Sequence, residues 1–453
     1  MRCVVGIDLG STTTKAVLLD EAGAMIGRGI TNSRSNYEVA CAVARDEALT
    51  SARFTLLERA LALRGARDWH AVEERLREAF RLEQYLDGLA ALREAIARTL
   101  RSLTYFGDRA KLVPAIDEVL DAMVAGAPAL FSGDGARKSD FFRDLAGVAF
   151  TAAAERVAAR GELAFERLIG LFDRAILDVE TRRDLRPFGA LMRDAGARVA
   201  GEVDEATRAE WLAAIEEAVT VAIEEVSFVG TGYGRQTLPF PKSAVRSEIL
   251  CHGRGAHRIF PGTRTVLDIG GQDTKAIQVD DGGVVTTFQM NDRCAAGCGR
   301  YLGYIADELN LGLHELGPLA LKANRTTKVN STCTVFAGAE LRERLALGER
   351  REDILAGLHR SIMLRAMSLL ARSGGVNSEF TFTGGVCKNP MATKVLGELV
   401  VENYGAGITI NTHADSIYMG ALGAALFGLD DLRAGREAVL PTFAQAAIAG
   451  GAA

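Results

Sequence analysis

Apolar positions along the chain follow two periods, one typical of strands and one typical of helices. An apolar run over 3–8 ends in Asp8 and a glycine-containing turn, which predicts a buried strand that enters a tight turn. Further strands are predicted over 15–19, 24–29, 226–229, 265–268, 275–279, 284–289 and 380–383. The turns after the strands that end in Asp8 and Asp268 each lead into another strand. A Walker P-loop or a Rossmann turn leads from a strand into a helix instead. The pattern therefore argues against both of those motifs.

Between 47 and 225 the apolar residues recur at helical spacing instead, as at Phe54, Leu57 and Leu61. We interpret this stretch as a mostly helical inserted module whose charged residues lie on solvated helix faces. It contains no repeat and no motif that carries chemistry. A shorter helix is predicted to start near Ser247, and a final helix is predicted over 420–427.

Composition limits the possible classes of protein. The length of 453 residues suits two or three domains, and a hydrophobic share of 48% predicts a packed interior. The net charge of −5 gives no electrostatic reason to expect a nucleic-acid partner. No apolar run approaches the roughly 18 residues that span a bilayer, and the N-terminus shows no signal peptide. We therefore expect a cytoplasmic protein without a membrane partner.

Two acidic turns share one pattern, DLGSTTTK over 8–15 and DIGGQDTK over 268–275. Backbone N–H groups in such turns can face phosphate oxygens, because no bulky side chain blocks the approach. The residues that offer this are Gly10, Ser11, Thr12, Thr13, Gly270 and Gly271. Asp8 and Asp268 end the preceding strands, and carboxylates with retained water suit Mg²⁺, as ligands or as partners of its waters. The matched pair predicts a nucleotide and magnesium site, although either turn alone is equally compatible with an ordinary hairpin.

A third glycine turn, TGGVCKNP over 383–390, follows the strand FTFT. Adjacent glycines allow the backbone to lie flat against a ring, which suits an adenosine contact at Gly384 and Gly385. The segment GTGYGR over 230–235 lacks the context of a dinucleotide site, so we interpret it as a tight turn.

The seven cysteines are odd in number and belong to a long chain, so a disulfide framework is not expected. Cys294 and Cys298 lie in NDRCAAGCGR, and Cys333 lies in NSTCTVF. Thiolates in such loops before helices suit a metal cluster. Cys298 is either a third ligand or a small packed residue at a helix start, and we interpret it as packed. Packed, reduced thiols are also expected at Cys3, Cys41, Cys251 and Cys387.

His252 follows Glu248 by four residues on a predicted helix, a spacing that also suits a metal pair. No third ligand is near these two residues in the sequence, so we interpret His252 as a structural histidine.

Paired acidic turns followed by a late T-G-G turn resemble the actin, sugar-kinase and chaperone ATPase superfamily. The finer resemblance is to the ATPase and activator family of benzoyl-CoA reductase and 2-hydroxyacyl-CoA dehydratase. It is carried by GIDLGSTTTKAV, SEILCHGRGA, VLDIGGQDTKAI, FQMNDRCAAGCGRYL, STCTVFAGAEL and FTGGVCKNP. The resemblance covers residues 1–35 and 226–430. It implies an α/β fold with two ribonuclease-H-like, actin-type ATPase domains, the first of which carries a large helical insertion.

The resemblance also sets the expected domains and the expected subtype. ATPase domain I is expected over 1–46 and 226–262, the insertion over 47–225, and ATPase domain II over 263–453. Dehydratase activators are compact, whereas the large ATPase subunit of benzoyl-CoA reductase is similar to this longer arrangement. Length therefore favours the reductase subunit, with a dehydratase activator as the alternative. We expect the insertion to contact a partner subunit, since it is too long to be a simple loop.

The family resemblance implies [4Fe–4S] cluster ligands at Cys294 and Cys333. Two thiolates cannot fill the four ligand positions of such a cluster, so a second subunit would supply two more. We expect that subunit to be a homologous ATPase chain, and hence a heterodimer rather than a homodimer. The helix after Cys294 would direct its positive N-terminal end at the anionic cluster.

The same resemblance implies how the chain works. ATP is expected to bind between the two domains, and its hydrolysis is expected to change the angle between them. An electron from reduced ferredoxin would then pass through the cluster to catalytic reductase subunits, which reduce the aromatic ring of benzoyl-CoA. Lys15 and Asp273 are expected at the phosphates and Asn389 at the nucleotide. Either Gln272 or Glu248 is expected to position the attacking water.

Two other classes use the same fold. A sugar-type kinase needs a catalytic carboxylate that faces a hydroxyl acceptor, and it has no use for Cys294 and Cys333. An actin-like filament protein or a chaperone ATPase would hydrolyse ATP without iron.

Overall fold

The computed structural model describes the chain except for residues 34–35, 65–68, 103–108, 133–141, 182–185, 202, 233, 235–239, 292–298, 330–333, 437–439 and 442–453. The chain forms two compact units. The first unit consists of Met1–Ala52 and Ile223–Ala453, and the second consists of Arg53–Ala222.

A four-stranded sheet forms the first half of the first unit. Its strands are β1 (Arg2–Leu9), β2 (Thr13–Asp20), β3 (Met25–Asn32) and β4 (Glu224–Thr231), in the order β3-β2-β1-β4. β1 pairs antiparallel with β2 and parallel with β4, so it is an interior strand and is buried along most of its length. This register sets Asp8 opposite Lys15 on β2 and Thr231 on β4.

A five-stranded sheet repeats this arrangement in the second half of the unit. Its strands are β5 (Thr265–Ile269), β6 (Thr274–Val279), β7 (Val285–Asn291), β8 (Phe380–Thr383) and β9 (Ile410–Asn411), in the order β7-β6-β5-β8-β9. β5 pairs antiparallel with β6 and parallel with β8, which sets Asp268 opposite Lys275 and Thr383. The predicted mixed α/β class and both strand–turn–strand units are confirmed, while the short strand β9 was not predicted.

Two helices pack closely against each other between the sheets. They are α8 (Glu248–Ile259) and α14 (Met419–Arg433). α14 packs on the strands of the first sheet, and α8 packs on the strands of the second. An ideal Cβ on Gly423 would lie 1.9 Å from the carbonyl oxygen of Cys251, so the two backbones meet where only glycine fits. This close packing fixes Glu248 and His252, which lie on α8, relative to the end of β1.

The second sheet packs against five further helices, and their apolar faces form its core. These helices are α9 (Gly299–Glu308), α10 (Leu313–Ala320), α11 (Thr334–Ala346), α12 (Arg351–Ser373) and α13 (Pro390–Tyr404). By length and composition alone, α12 is apolar enough to cross a membrane. However, 67% of its apolar window is buried inside the protein, and the packing of a core helix accounts for its composition.

The described part of the second unit is helical. It takes in the end of α1 (Tyr37–Leu63), and α2 (Trp69–Ser102), α3 (Arg109–Leu130), α4 (Phe142–Ala158), α5 (Phe165–Thr181), α6 (Phe188–Ala200) and α7 (Glu205–Thr220). Two apolar clusters hold these helices together, one centred on Phe150 and the other on Phe54 and Phe80. α2 is long enough to contribute to both clusters.

Candidate active site

The two acidic turns place an Asp and a Lys opposite each other in both sheets. The ammonium of Lys15 lies 3.5 Å from Asp8 Oδ2, and that of Lys275 lies 3.4 Å from Asp268 Oδ2. Both aspartates are buried at the ends of interior strands. The pairs follow from register, because residues directly opposite on antiparallel strands have their side chains on the same face.

Lys275 is the centre of a buried charge cluster. Its ammonium lies 2.9 Å from Glu248 Oε1 and 2.8 Å from Asp273 Oδ1, in addition to its contact with Asp268. Burial alone would lower the pKa of Lys275, but the three carboxylates outweigh burial and raise that pKa. Burial would raise the pKa of Asp268, but the charges of His252 and Lys275 outweigh burial and lower it. Lys275 and Asp268 therefore both stay ionised at neutral pH.

His252 belongs to this cluster, so its interpretation as a structural histidine stays a prediction, and its contact with Asp268 is one that the sequence did not indicate. Its Nδ1 lies 3.3 Å from Asp268 Oδ1, and its Nε2 lies 4.0 Å from Glu248 Oε1. Ligand atoms of Asp8, Glu248 and His252 lie within 4.8 Å of one another. The third residue of this group, Asp8, lies on β1, far from α8 in the sequence. The spacing of residues within α8 therefore could not indicate it. The only signal in the sequence was the spacing of His252 from Glu248, which puts both side chains on one helix face.

The acidic turn over 8–15, here called the first phosphate turn, is held in its conformation by Ser33. The sequence patterns did not identify this residue. Ser33 donates from its backbone N–H to the carbonyl of Thr12 at 2.8 Å, and from its Oγ to the carbonyl of Gly10 at 2.5 Å. In a trans peptide the C=O and the following N–H point in opposite directions. The N–H of Ser11 is therefore directed away from Ser33, as a phosphate-binding turn requires. Thr13 opens β2 in this turn.

The acidic turn over 268–275, here called the second phosphate turn, faces the first. The N–H of Gly270 donates to the carbonyl of Asp273 at 3.0 Å, which closes the turn. An ideal Cβ on Gly271 would lie 2.2 Å from Thr12 Oγ1, so only glycine fits between the two turns. Gln272 lies in the same turn and is half-buried. The structure thus brings together the two predicted phosphate turns.

The third glycine turn meets the same site through its first residues. Thr383 donates from its Oγ1 to Asp268 Oδ1 at 2.9 Å. Gly384 has a φ of 88°, and an ideal Cβ there would lie 2.3 Å from the carbonyl oxygen of Ile269. Glycine is therefore required at 384 because of the adjacent strand β5. Of the two glycines in this turn, Gly384 is buried and Gly385 is exposed. A nucleotide contact at these residues stays a prediction.

Asn389 has a structural role that its motif did not predict. Its Oδ1 accepts hydrogen bonds from the N–H groups of Met391 and Ala392 at 3.0 and 3.1 Å, which caps α13. Its Nδ2 lies 3.0 Å from Nε2 of the buried His359. The side-chain amide of Asn389 therefore caps α13 and contacts His359. A contact between Asn389 and a nucleotide stays a prediction.

The donor set at the end of β1 fits a magnesium ion. Asp8 offers a buried carboxylate whose cation partner, Lys15, is 3.5 Å away, and Glu248 offers a second carboxylate nearby. Mg²⁺ prefers one or two carboxylates and retained water. The carboxylate of Asp268 already contacts Thr383, Lys275 and His252. Magnesium ligation by Asp8 and Asp268 stays a prediction, and the contacts already made by Asp268 favour Asp8 as the ligand.

Cys294, Cys298 and Cys333, the predicted cluster cysteines and their neighbour, lie outside the described residues. The four described cysteines, Cys3, Cys41, Cys251 and Cys387, are buried and form no disulfide. Burial raises the pKa of Cys3, Cys41 and Cys251 to about 12, and it also raises the pKa of Cys387. These thiols stay protonated, as expected for packed residues.

The two helices that follow the predicted cluster cysteines pack against each other. An ideal Cβ on Gly338 of α11 would lie 2.6 Å from the hydroxyl of Tyr304 on α9. Four residues further along both helices, Arg342 forms an ion pair with Glu308. Because the contacts advance in the same order, α9 and α11 run in the same direction and their N-termini lie at the same end of the pair.

Residues 5–428 match the model of the BadF/BadG/BcrA/BcrD ATPase family. The chain belongs to this family. The match spans both acidic turns, the charge cluster and the third glycine turn, so the geometry above belongs to an ATPase of this family.

Relatives within the ATPase family differ in their similarity to this chain. The activating ATPase of (R)-2-hydroxyglutaryl-CoA dehydratase from Acidaminococcus fermentans is 42% identical over 205 residues, which cover 45% of this chain and 76% of that protein. The activator of lactoyl-CoA dehydratase from Anaerotignum propionicum is 39% identical over 208 residues, 46% of this chain and 77% of that protein. A benzoyl-CoA reductase subunit from Thauera aromatica is 35% identical over 214 residues, 47% of this chain and 75% of that protein.

A solved structure of component A of the Acidaminococcus fermentans (R)-2-hydroxyglutaryl-CoA dehydratase has a similar fold. The TM-score is 0.53 at 22% identity, and the alignment covers 96% of this chain and 100% of that one. At this identity the likeness shows the fold alone.

We expect Lys275→Met to destabilise this ATPase by about 3–5 kcal/mol, because it removes the cation that three buried carboxylates share. Burial raises the pKa of Glu248 and the charge of Lys275 lowers it, so without the lysine that pKa rises further and the folded protein binds more protons than the unfolded chain. Stability then falls as pH rises. Calorimetry at about pH 6 and about pH 8 should show the larger loss at the higher pH. Lys322→Met, at an exposed lysine, is the control. An equal, pH-independent loss in both variants would contradict the assignment.

Proposed function

We propose that the chain is an ATP-hydrolysing electron donor that activates a 2-hydroxyacyl-CoA dehydratase. The observation that carries this proposal is the pair of facing phosphate turns around one buried charge cluster, in a chain of this ATPase family. The two dehydratase activators above are more similar to this chain than the benzoyl-CoA reductase subunit is. This favours the alternative over our first expectation, a subunit of benzoyl-CoA reductase, which remains the second candidate.

The length of the chain no longer argues for the reductase. Residues Arg53–Ala222 form a compact unit of their own, so the remaining unit has to be compared with the compact activators by itself. Contact between the inserted unit and a partner subunit stays a prediction. A sugar-type kinase and an actin-like filament protein are weaker candidates, because neither uses the cysteine segments and no observation favours them.

For hydrolysis, we assign Glu248 rather than Gln272 as the residue that orients the attacking water. Burial raises the pKa of Glu248 although the charge of Lys275 opposes this, and a raised carboxylate pKa suits a general base. Glu248 also lies beside Asp8, the proposed magnesium ligand. The bound magnesium ion would neutralise phosphate charge. Lys15 and the turn N–H groups would hold the phosphates, while Lys275 holds the carboxylate of Glu248 in place.

For electron transfer, we assign Cys294 and Cys333 as ligands of a [4Fe–4S] cluster. The arrangement of α9 and α11 supports this, since the helices that follow the two cysteine segments have their N-termini at the same end. Such a cluster supplies a low-potential electron when it is bound. Two cysteines per chain leave two ligand positions for a second chain of the same family. Reduced ferredoxin as donor and a separate catalytic dehydratase as acceptor complete the proposal.

Glu248→Gln is expected to lower the rate of ATP hydrolysis by roughly 100-fold or more, while ATP affinity changes much less, because it removes a base and keeps the shape of the side chain. Steady-state phosphate release and equilibrium nucleotide binding separate the two effects. Glu343→Gln, at an exposed position on α11, is the matched control. If Glu248→Gln hydrolysed ATP at the wild-type rate, the assignment would fail.

Anaerobically purified protein should contain about two iron atoms per chain, the share of each of two chains in one four-iron cluster. Cys294→Ala and Cys333→Ala should each lose this iron and the ATP-dependent reduction of a purified 2-hydroxyacyl-CoA dehydratase, with ATP binding retained. Cys41→Ala, at a buried cysteine of α1, should keep both. Iron-free protein that phosphorylates a sugar would favour the kinase. Transfer to a benzoyl-CoA reductase but not to a dehydratase would favour the second candidate.

A further inference from the structure

The start of α9 is hydrogen-bonded to the second phosphate turn. The backbone N–H groups of Gly299 and Arg300 donate to the carbonyls of Gly270 and Gly271, both at 2.8 Å. N–H groups in the first turn of a helix have no partner within the helix. Here two of them find acceptors in the turn that faces Thr12, so the helix and the turn are joined by main-chain bonds.

These bonds set the direction of the phosphate-binding groups. The carbonyls of Gly270 and Gly271 belong to the same peptide planes as the N–H groups of Gly271 and Gln272, which must point the opposite way. The turn therefore directs two donors away from α9. Ser33 orients the first turn by the same means, through the carbonyls of Gly10 and Thr12.

Gly299 lies in a narrow space between the second phosphate turn and the third glycine turn. An ideal Cβ at this position would lie 3.1 Å from the carbonyl oxygen of Gly270, 3.4 Å from Cγ2 of Val386 and 3.5 Å from Cα of Gly271. Val386 belongs to the third glycine turn. Gly303, one turn further along the same helix, has nothing within 4 Å of its ideal Cβ. The tight packing is thus specific to the first residue of α9.

The strand before this helix is attached to the same turn. The last residue of β7, Asn291, pairs with Thr274, the first residue of β6. The phosphate turn lies directly between β5 and β6. Both described residues that border the segment 292–298 therefore contact the turn or the strand that leaves it.

We propose that Gly299 and Arg300 are positioning residues that hold the second phosphate turn. Through their hydrogen bonds to this turn, α9 responds to whether ATP or ADP is bound there. The inference rests on the nucleotide site proposed above. A phosphate that accepts hydrogen bonds from Gly271 and Gln272 polarises their peptides, which strengthens the bonds from the opposite carbonyls to α9. Loss of the terminal phosphate weakens them. α9 then passes the change to α11 through Tyr304 against Gly338 and the pair of Glu308 with Arg342.

Amide hydrogen exchange tests this in protein without a cluster. A non-hydrolysable ATP analogue with Mg²⁺ should slow exchange of the amides at 299 and 300 about tenfold relative to ADP, the effect of roughly one added hydrogen bond. Gly299→Ala should reduce this difference to about twofold or less, because its methyl group presses on the Gly270 carbonyl. Gly303→Ala should behave as wild type. Gly303→Ala makes the same substitution inside the same helix, so it shows what a gain in helix propensity does without the contact to the turn.

Three outcomes separate this inference from the proposed function. Slower exchange at 299 and 300 that is lost only in Gly299→Ala supports the coupling. If the analogue protects residues 8–15 and 268–275 but leaves 299 and 300 unchanged in the wild type, the coupling is wrong and the nucleotide site stands. If the analogue protects neither turn, the nucleotide site fails, and the coupling fails with it. The wild-type comparison decides even if Gly299→Ala does not fold.

Discussion

The site depends on one buried ammonium group, that of Lys275, which three carboxylates surround. Charges with so little access to solvent are tolerated only when they are paired, so the positions of these side chains are mutually dependent. One carboxylate, Asp268, lies on β5, the second, Asp273, lies in the turn between β5 and β6, and the third, Glu248, lies on α8. His252, also on α8, extends the cluster towards Asp8 at the end of the first sheet. One network of opposite charges therefore fixes a helix and the ends of two sheets around the space proposed for the phosphates.

The two phosphate turns use the same physical device with different residues. In each turn an outside group binds the backbone carbonyls, which forces the following N–H groups to the opposite side. In the first turn this group is Ser33, at the end of the adjoining hairpin. In the second it is the start of α9, a helix that follows a cysteine segment. In the second half of the unit, main-chain bonds therefore join the phosphate turn directly to a helix, whereas the first turn is held by the side chain and backbone of Ser33.

Sequence patterns predicted the parts of the site that are local. Asp8 and Asp268 were placed at strand ends by apolar runs followed by glycine turns, and the structure has both strands. Ser33 was missed, and the contacts of His252 with Asp8 and Asp268 were not predicted, because they join segments that lie far apart in the sequence. Asn389 was expected at the nucleotide from its motif, but its amide caps a helix, which depends on where α13 begins. The length of the chain misdirected the choice of subtype, because it counted residues that form a separate unit.

The central claim is that the two turns and the charge cluster form one magnesium-dependent nucleotide site. Equilibrium binding of ATP to the wild type and to Asp8→Asn, in air-purified protein without a cluster, tests it most directly. The account predicts that wild-type binding needs Mg²⁺ and that Asp8→Asn weakens it at least about tenfold, since the substitution removes the carboxylate best placed to hold the ion. Binding of the same strength in both proteins, with or without Mg²⁺, would contradict the account.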